Sequence, residues 1–151
     1  MSAPSQTVIR GFIPSDINPI HALSLDALSL TRTLSETHHT LMGRNQVIRV
    51  FASQTEGVVG YALGWQAKDM AELTEIAIRT DWKGRGAGRQ LLNDFVQQTR
   101  LLGAGTVDLD VKDSNHIAIG LYESIGFAKV GIRTKYYRDG ADAYLYSLEL
   151  S

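Results

Sequence analysis

The sequence contains no cysteine, and this absence removes several kinds of chemistry from consideration. Without thiols the chain has no disulfide framework, no thiolate zinc site and no cysteine nucleophile. The formal net charge is only −1 over 151 residues, so no general affinity for nucleic acid or for an anionic membrane is expected. Any cationic site must therefore be local.

Long apolar runs are absent too, and no stretch approaches the roughly 20 residues that span a bilayer. The first ten residues, MSAPSQTVIR, lack a basic stretch followed by an apolar core, so no secretory signal is expected. Repeats, low-complexity tracts and linkers are also lacking. At this length we expect one domain over residues 1–151, working in the cytoplasm.

Hydrophobic periodicity predicts an alternation of strands and helices. The predicted strands cover residues 7–12, 46–53, 57–67, 71–78, 106–111, 127–135 and 142–150. The predicted helices cover residues 17–27 and 30–42, the stretch that ends at Gly103, and a stretch from an N-cap at Ser114 to Gly126. The order β-α-α-β-β-β-α-β-α-β-β predicts an α/β fold whose mixed sheet is covered by helices on both faces.

The stretch WKGRGAGRQLL (residues 82–92) carries Gly84, Gly86 and Gly88 where a helix is about to begin. Glycine allows a sharp turn with bare N–H groups, and a helix N-terminus adds about half a positive charge. Three cations surround the turn: Lys83, Arg85 and Arg89. This combination indicates an anion site, most naturally for phosphate. The alternative is a surface turn that binds nothing.

Two common phosphate motifs do not fit this stretch. A Walker A loop needs Lys-Ser/Thr after its last glycine, whereas Gly88 is followed by Arg-Gln. A dinucleotide-binding G-x-G-x-x-G pattern would need glycine at position 89 or 91, which are Arg89 and Leu91.

Several separated pieces of the second half occur together in the order typical of one family. They are IAI at 76–78, the glycine stretch, and DVKDSNHIAIGLYESIGF at 110–127. Over about residues 71–148 the chain resembles the GNAT superfamily of acyl-CoA N-acyltransferases. The pyrophosphate pattern of that family, Gln/Arg-x-x-Gly-x-Gly/Ala, is matched from Lys83 to Gly88, with lysine in the first position.

The resemblance implies direct transfer of an acetyl group from acetyl-CoA to a primary amine. It assigns the pyrophosphate to the glycine loop: Gly84, Arg85, Gly86, Ala87, Gly88 and Arg89. It also implies that the backbone of Ile76, Ala77 and Ile78 pairs with the pantetheine arm and polarises the thioester carbonyl. Asn115 would contact the same arm, although it could be a simple helix-start residue.

The C-terminal pieces, including YYRDGADAYLYSL, are similar to the RimI type of this family, which acetylates the N-terminal alanine of a ribosomal protein. The Pro-Trp segment usual in that type is absent between the first two predicted helices. The resemblance implies a protein N-terminus as the acceptor. Because the Pro-Trp segment is missing, two alternatives stay open: a small amine as the acceptor, or a non-catalytic module that binds acyl-CoA. By the resemblance, Tyr136 and Tyr137 would line the acceptor site, or they are packing aromatics.

The attacking amine must be neutral, and three carboxylates compete to act as its base: Asp110, Glu72 and Glu75. A free α-amine, with a pKa of about 7.7–8.0, needs less help than lysine near 10.4. Asp110 stands where the RimI type carries a glutamate, and Glu72 where the histone-acetylating members carry their base. Strict alternation puts Glu72 and Glu75 on opposite faces of their strand. The preferred base is Asp110, then Glu72, and each could instead be a solvated or salt-bridged residue.

Tyr122 resembles the family's general acid, which protonates the departing thiolate. Its position on an apolar helix stripe is equally compatible with a core residue. The histidines do not indicate a metal site: His38 and His39 are adjacent on a helix and face different ways, and His21 and His116 are isolated.

Overall fold

The computed structural model describes residues 6–151 as a seven-stranded sheet with helices on both faces. The strands are β1 (Thr7–Gly11), β2 (Gln46–Ser53), β3 (Gly57–Ala67), β4 (Met70–Ile78), β5 (Thr106–Lys112), β6 (Ala128–Arg133) and β7 (Ala143–Glu149). The helices are α1 (Ile17–Ala27), α2 (Leu34–Leu41), α3 (Ala87–Leu101) and α4 (His116–Ile125). Short 3-10 turns lie at Pro14–Asp16 and Thr80–Trp82. Residues 1–5 of the predicted domain, where no secretory signal was expected, lie outside the described residues.

The sheet has the strand order β1-β2-β3-β4-β5-β7-β6, and its element order is the one predicted. Neighbouring strands are antiparallel except β4 and β5, which run parallel at the centre of the sheet. This parallel pair is short, joining only Met70–Glu72 to Thr106–Asp108. Beyond Glu72 the two strands separate and open a notch in the sheet.

Two hydrophobic cores cover the two faces of the sheet. One contains Leu91, Leu92 and Phe95 of α3, all fully buried. The other contains Ile20 of α1 and Leu41 of α2. A fully buried side chain of this size stabilises the fold by about 1.5–3 kcal/mol, so α3 is held firmly at the edge of the notch. Within residues 6–151 no helix combines the length and the apolar character needed to cross a membrane.

Two predicted helix starts were wrong, and side-chain caps explain both. Helix α2 begins at Leu34 rather than at residue 30, because Thr33 and Glu36 form a capping box. The Thr33 Oγ1 accepts the Glu36 N–H at 3.1 Å, which fixes the first turn. The N-cap of α4 is Asn115, not Ser114: its Oδ1 accepts the N–H of Ala118 at 3.2 Å.

A β-bulge interrupts the alternation of β4. Leu63 of β3 pairs with Glu75 and the next residue, Gly64, pairs with Leu73, so Thr74 is an inserted residue. Leu73 belongs to the core under α3, whereas Glu75 receives a hydrogen bond from Tyr61 of the opposite core. The insertion therefore puts Glu72 and Glu75 on one face, and the prediction that they lie on opposite faces was wrong.

Candidate active site

A cleft of about 500 Å³ lies where β4 and β5 separate. It is bounded by the end of β4, the glycine loop, the start of α3 and one side of α4. Eight of the predicted cofactor residues line it: Ile76, Ala77, Ile78, Gly84, Gly86, Ala87, Gly88 and Asn115. The notch in the sheet thus gathers segments that are far apart in the sequence.

The glycine loop is shaped by two left-handed residues, Gly84 (φ 79°) and Gly86 (φ 82°). Side chains are disfavoured in this conformation, so the turn requires glycine. Gly86 is also the N-cap of α3, and it has no side chain to bond the N–H groups of the first turn. These N–H groups, the positive end of the helix dipole and the nearby Lys83 border the same cleft, which makes it suited to a phosphate group.

The other two cations of the loop contact different partners. The Arg85 guanidinium lies 4.8 Å from the centroid of the Trp82 ring. Arg89 Nη2 donates to Ser124 Oγ of α4 at 2.7 Å. Neither arginine is among the residues that line the cleft. Their charge acts near the loop, whereas Lys83 borders the cleft itself.

One edge of β4 faces the notch. Residues Ile76 and Ile78 pair on one side with Ala62 and Gly60 of β3. Pairing with β5 ends at Glu72, so within the described residues the opposite edge has no strand partner beyond that point. Main-chain N–H and C=O groups on this edge can therefore pair with an extended ligand as a further strand would.

Tyr122 is both a core residue and a cleft residue. It is only 6% exposed, its ring lies 5.9 Å from that of Phe127, and it lines the cleft. Burial, with a smaller contribution from Tyr137, raises the pKa of Tyr122 to about 12. Its hydroxyl therefore keeps its proton at physiological pH, and it finds no hydrogen-bond partner among residues 6–151.

Asp110 and Glu72 lie on the same face of the sheet. Glu72 pairs with Asp108 in the last register position of the parallel strands, and Asp110 follows two residues later on the same face. Trp65 Nε1 donates to Glu72 at 3.1 Å. Burial, followed by the charge of Asp110, raises the pKa of Glu72, so the two carboxylates interact. In the described part of the chain the Asp110 side chain has no hydrogen bond or ion pair.

Glu75 is fully engaged in other contacts. Arg32 donates to its two oxygens at 2.9 and 3.0 Å, and the Tyr61 hydroxyl donates at 2.7 Å. The Arg32 and Glu75 side chains are both 13% exposed. Since both oxygens of Glu75 already accept hydrogen bonds from Arg32 and Tyr61, Glu75 is not open to an incoming amine, which leaves Asp110 and Glu72 as the candidates.

The loop between β6 and β7 carries two tyrosines, and one of them, Tyr137, lies near Asp110. The Tyr136 and Tyr137 rings pack edge to face with centroids 5.1 Å apart. Burial, and next the charge of Asp110, raise the pKa of Tyr137. Tyr137 also contributes to the raised pKa of Tyr122, so it interacts with the candidate base and the candidate acid.

Sequence reasoning missed part of the cleft wall. Ile117, on the predicted stripe of α4, lines the cleft and is 90% exposed, so it is not core. Ala27 and Leu28, at the end of α1, also line the cleft, and no sequence signal pointed to them. Across residues 6–151 there is no group of three or more histidine, aspartate or glutamate side chains placed to hold a metal ion.

The comparisons with known proteins identify the family. A sequence model of the acetyltransferase (GNAT) family matches residues 19–127, more than half of the chain. The chain therefore belongs to the GNAT family. The predicted family, the fold class and acetyl-CoA-dependent N-acetyl transfer as the reaction class are confirmed at the level of the family.

Individual relatives narrow the comparison. The chain is 36% identical over 102 residues to the ribosomal protein bS18-alanine N-acetyltransferase of Escherichia coli K12. The matched residues make up 66% of this chain and 69% of that protein. The chain is 34% identical over 128 residues to an uncharacterized Mycobacterium leprae protein, with 82% of this chain but only 33% of that longer relative covered. The crystal structure of the E. coli ribosomal-protein-S18-alanine N-acetyltransferase superposes with a TM-score of 0.87 at 28% identity, covering 97% of this chain and 95% of that one.

Proposed function

We propose that the chain is a single acetyltransferase domain that transfers the acetyl group of acetyl-CoA to the N-terminal α-amine of a protein. The observation that carries this proposal is that the glycine loop and the free edge of β4 border one cleft, while Asp110 lies on the part of β5 that has separated from β4. The E. coli relative acts on the alanine of ribosomal protein bS18, as its name states. An acceptor of that kind would place the reaction in the cytoplasm.

The cleft fits the donor. A Cβ built on Gly84 would meet nothing within 4 Å, so the loop is open to a phosphate approaching its main chain. Residues of the loop, with Lys83, would hold the pyrophosphate through N–H groups and charge. The free edge of β4 at Ile76–Ile78, together with Asn115, would hold the pantetheine arm. Acetyl-CoA supplies the thioester carbonyl, and an N–H of that edge would polarise its oxygen.

Asp110 is the proposed base. An α-amine loses its proton near pH 8, so a weak base is sufficient, whereas a lysine side chain would need a stronger one. Asp110 lies on the separated part of β5 and is free of competing contacts in the described chain. Because its side chain is short, a bridging water would carry the proton. Glu72 beside it adds negative charge that attracts the incoming ammonium group.

Tyr122 assists the leaving group. As the amine nitrogen bonds to the carbonyl carbon, the C–S bond breaks and negative charge collects on sulfur. With the pKa of Tyr122 at about 12 and that of a thiol near 8.5, complete proton transfer would be uphill by about 5 kcal/mol. We therefore assign Tyr122 a hydrogen bond to the departing sulfur, with the final proton coming from solvent.

The test is the release of free CoA from acetyl-CoA in the presence of a panel of acceptors. Peptides starting with Ala, Ser, Met or Lys are compared with spermidine and with free amino acids. Turnover confined to peptides with a small N-terminal residue is expected. Turnover with the small amines alone would contradict the proposed acceptor. CoA binding without turnover on any acceptor would indicate a non-catalytic module and overturn the proposal.

A further inference from the structure

The segment that connects α1 to α2, residues 28–33, borders the candidate site but has few ties to the rest of the fold. Half of its six residues are exposed and the others are half-buried, and Ser29 adopts a left-handed conformation with φ 55°. Its main chain is tied to α1 by a bond from the Leu30 N–H to the Ser24 carbonyl, at 3.2 Å, and to α2 by the capping contacts of Thr33. Leu28 packs against the core on this face, and Arg32 forms hydrogen bonds from the segment to the sheet.

The Arg32 side chain makes an unusually complete set of contacts. Its two terminal nitrogens bond both oxygens of Glu75, and its Nε donates to Ser24 Oγ at 3.3 Å. Tyr61, which is fully buried, donates the third hydrogen bond to the Glu75 carboxylate. A bidentate, poorly solvated pair of this kind is geometrically rigid, and loss of one partner leaves the other charge without compensation.

Glu75 of this ion pair lies on β4 between the candidate carboxylate Glu72 and the cleft residue Ala77. The bulge at Thr74 puts Glu75 on the same face as Glu72, and Ala77 follows on that face and lines the cleft. Along this face of β4 the pair therefore lies between the cleft and Glu72. Leu28, at the start of the connecting segment, lines the cleft as well. An amine that moves from the carboxylates to the thioester would pass along this segment.

We propose that Arg32 is a positioning residue for the acceptor. It holds residues 28–33 against Glu75, so that the segment forms a wall of the acceptor path. Since Glu75 neutralises Arg32, an ammonium group that enters the path meets no net repulsion from the pair. This inference rests on the proposed function, because it assumes that an amine travels along this face.

The test compares Arg32→Ala and Arg32→Lys with the matched variant Arg49→Ala. Arg49 also pairs with a carboxylate, Asp94, at 2.5 Å, and their side chains are 17% and 22% exposed, but this pair joins β2 to α3 on the opposite face. In Arg32→Ala the KM for the acceptor peptide should rise about tenfold, while kcat and the Kd for CoA stay within about threefold. In Arg32→Lys the rise in KM should be smaller, since lysine keeps the positive charge but cannot form the bidentate pair with Glu75. Arg49→Ala should leave the KM unchanged.

An independent readout does not need turnover. Amide hydrogen exchange of residues 28–33 should accelerate in Arg32→Ala and not in Arg49→Ala. Unchanged exchange, or an unchanged KM in Arg32→Ala when the wild-type chain is active, would overturn the role of Arg32 and leave the proposed function intact. A loss of CoA affinity as large as the rise in KM would also overturn it, by indicating a general collapse of the site. An inactive wild-type chain would overturn both proposals.

Discussion

The two halves of the candidate site are built from different materials. The half that would hold CoA is made of main chain: the left-handed turns at Gly84 and Gly86, the start of α3 and the free edge of β4. The half that would receive the amine is made of side chains, centred on Asp110 and Glu72. Because the donor is common to the family and the acceptor is not, a fixed backbone cradle and a variable side-chain surface suit the two tasks.

The difference shows which half depends on residue identity. Main-chain N–H groups are present whatever the side chain, provided that the conformation is kept. A carboxylate base or a positioning arginine is lost with a single substitution. We therefore expect substitutions in the acceptor half to reduce kcat or to raise the KM for the peptide, and substitutions in the cradle to weaken CoA binding.

The largest effect is expected for Asp110→Asn. If Asp110 is the base, kcat should fall about 10²–10³-fold, within the range of general acid–base catalysis, because the amide cannot accept the proton. The Kd for CoA, measured by calorimetry, should not change. Asp69→Asn, in the exposed turn between β3 and β4, is the matched control and should keep full activity. Equal kcat values for the two variants would remove Asp110 from the mechanism.

Gly64→Ala tests the bulge that places the carboxylates on one face. An added Cβ would lie 2.1 Å from the Glu72 carbonyl oxygen and 2.5 Å from Phe95 Cζ, so main chain and helix must both move. We expect a loss of about 3 kcal/mol in the free energy of unfolding, measured by denaturant titration. In Gly120→Ala, where a Cβ in α4 meets nothing within 4 Å, a gain of about 0.5–1 kcal/mol is expected. Similar stabilities would contradict the close packing of β3 on β4.

Gly84→Ala tests the cradle. Gly84 and Gly57 share nearly the same left-handed φ, 79° and 76°, and a Cβ on either would meet nothing within 4 Å. Alanine should therefore strain both turns by about 1–2 kcal/mol. Of these two glycines, Gly84 borders the cleft and Gly57 does not. The Kd for CoA should therefore rise about tenfold in Gly84→Ala and stay unchanged in Gly57→Ala. Equal affinities for CoA in Gly84→Ala and Gly57→Ala would show that the glycine loop does not bind CoA.

The smallest effect is expected for Tyr122→Phe. A hydrogen bond to the leaving sulfur should contribute roughly three- to tenfold to kcat. Because the pKa of Tyr122 is raised to about 12, its hydroxyl stays protonated at every lower pH, and the rate should show no fall due to Tyr122 between pH 7 and 10. The kcat–pH profiles of the wild-type chain and of Tyr122→Phe should therefore run parallel. A decline near pH 9 that disappears in Tyr122→Phe would contradict this assignment.

Sequence reasoning was most successful where local chemistry determines the structure. The order of the elements, the bounds of α1, and the turn at Gly84 and Gly86 followed from periodicity and from glycine. It was less successful for α2 and α4, where the side-chain caps at Thr33 and Asn115 decide the first residue. Both caps are visible in the sequence, Thr33 as a Thr-x-x-Glu box and Asn115 as a helix-start residue.

The rest of the site depends on contacts that sequence patterns do not contain. Period-two alternation misplaced Glu75 because it assumes an uninterrupted strand. A hint of the bulge was Gly64, one of two glycines in the interior of β3. The partnership of Arg32 with Glu75 joins residues 43 positions apart, so no local pattern predicts it. The side-chain orientations of the two loop arginines are a similar case. Arg85 lies over the Trp82 ring and Arg89 donates to Ser124, and hydrophobic periodicity predicts neither contact.

The central claim, that this site acetylates an α-amine, is tested most directly with one peptide that offers two amines. The peptide starts with a free alanine and carries an internal lysine, and fragmentation mass spectrometry locates the acetyl group after incubation with acetyl-CoA. The account predicts acetylation of the N-terminal alanine with the lysine unmodified, because a weak carboxylate base suits an amine that ionises near pH 8 and not one near 10.4. Acetylation of the lysine with a free N-terminus would contradict it.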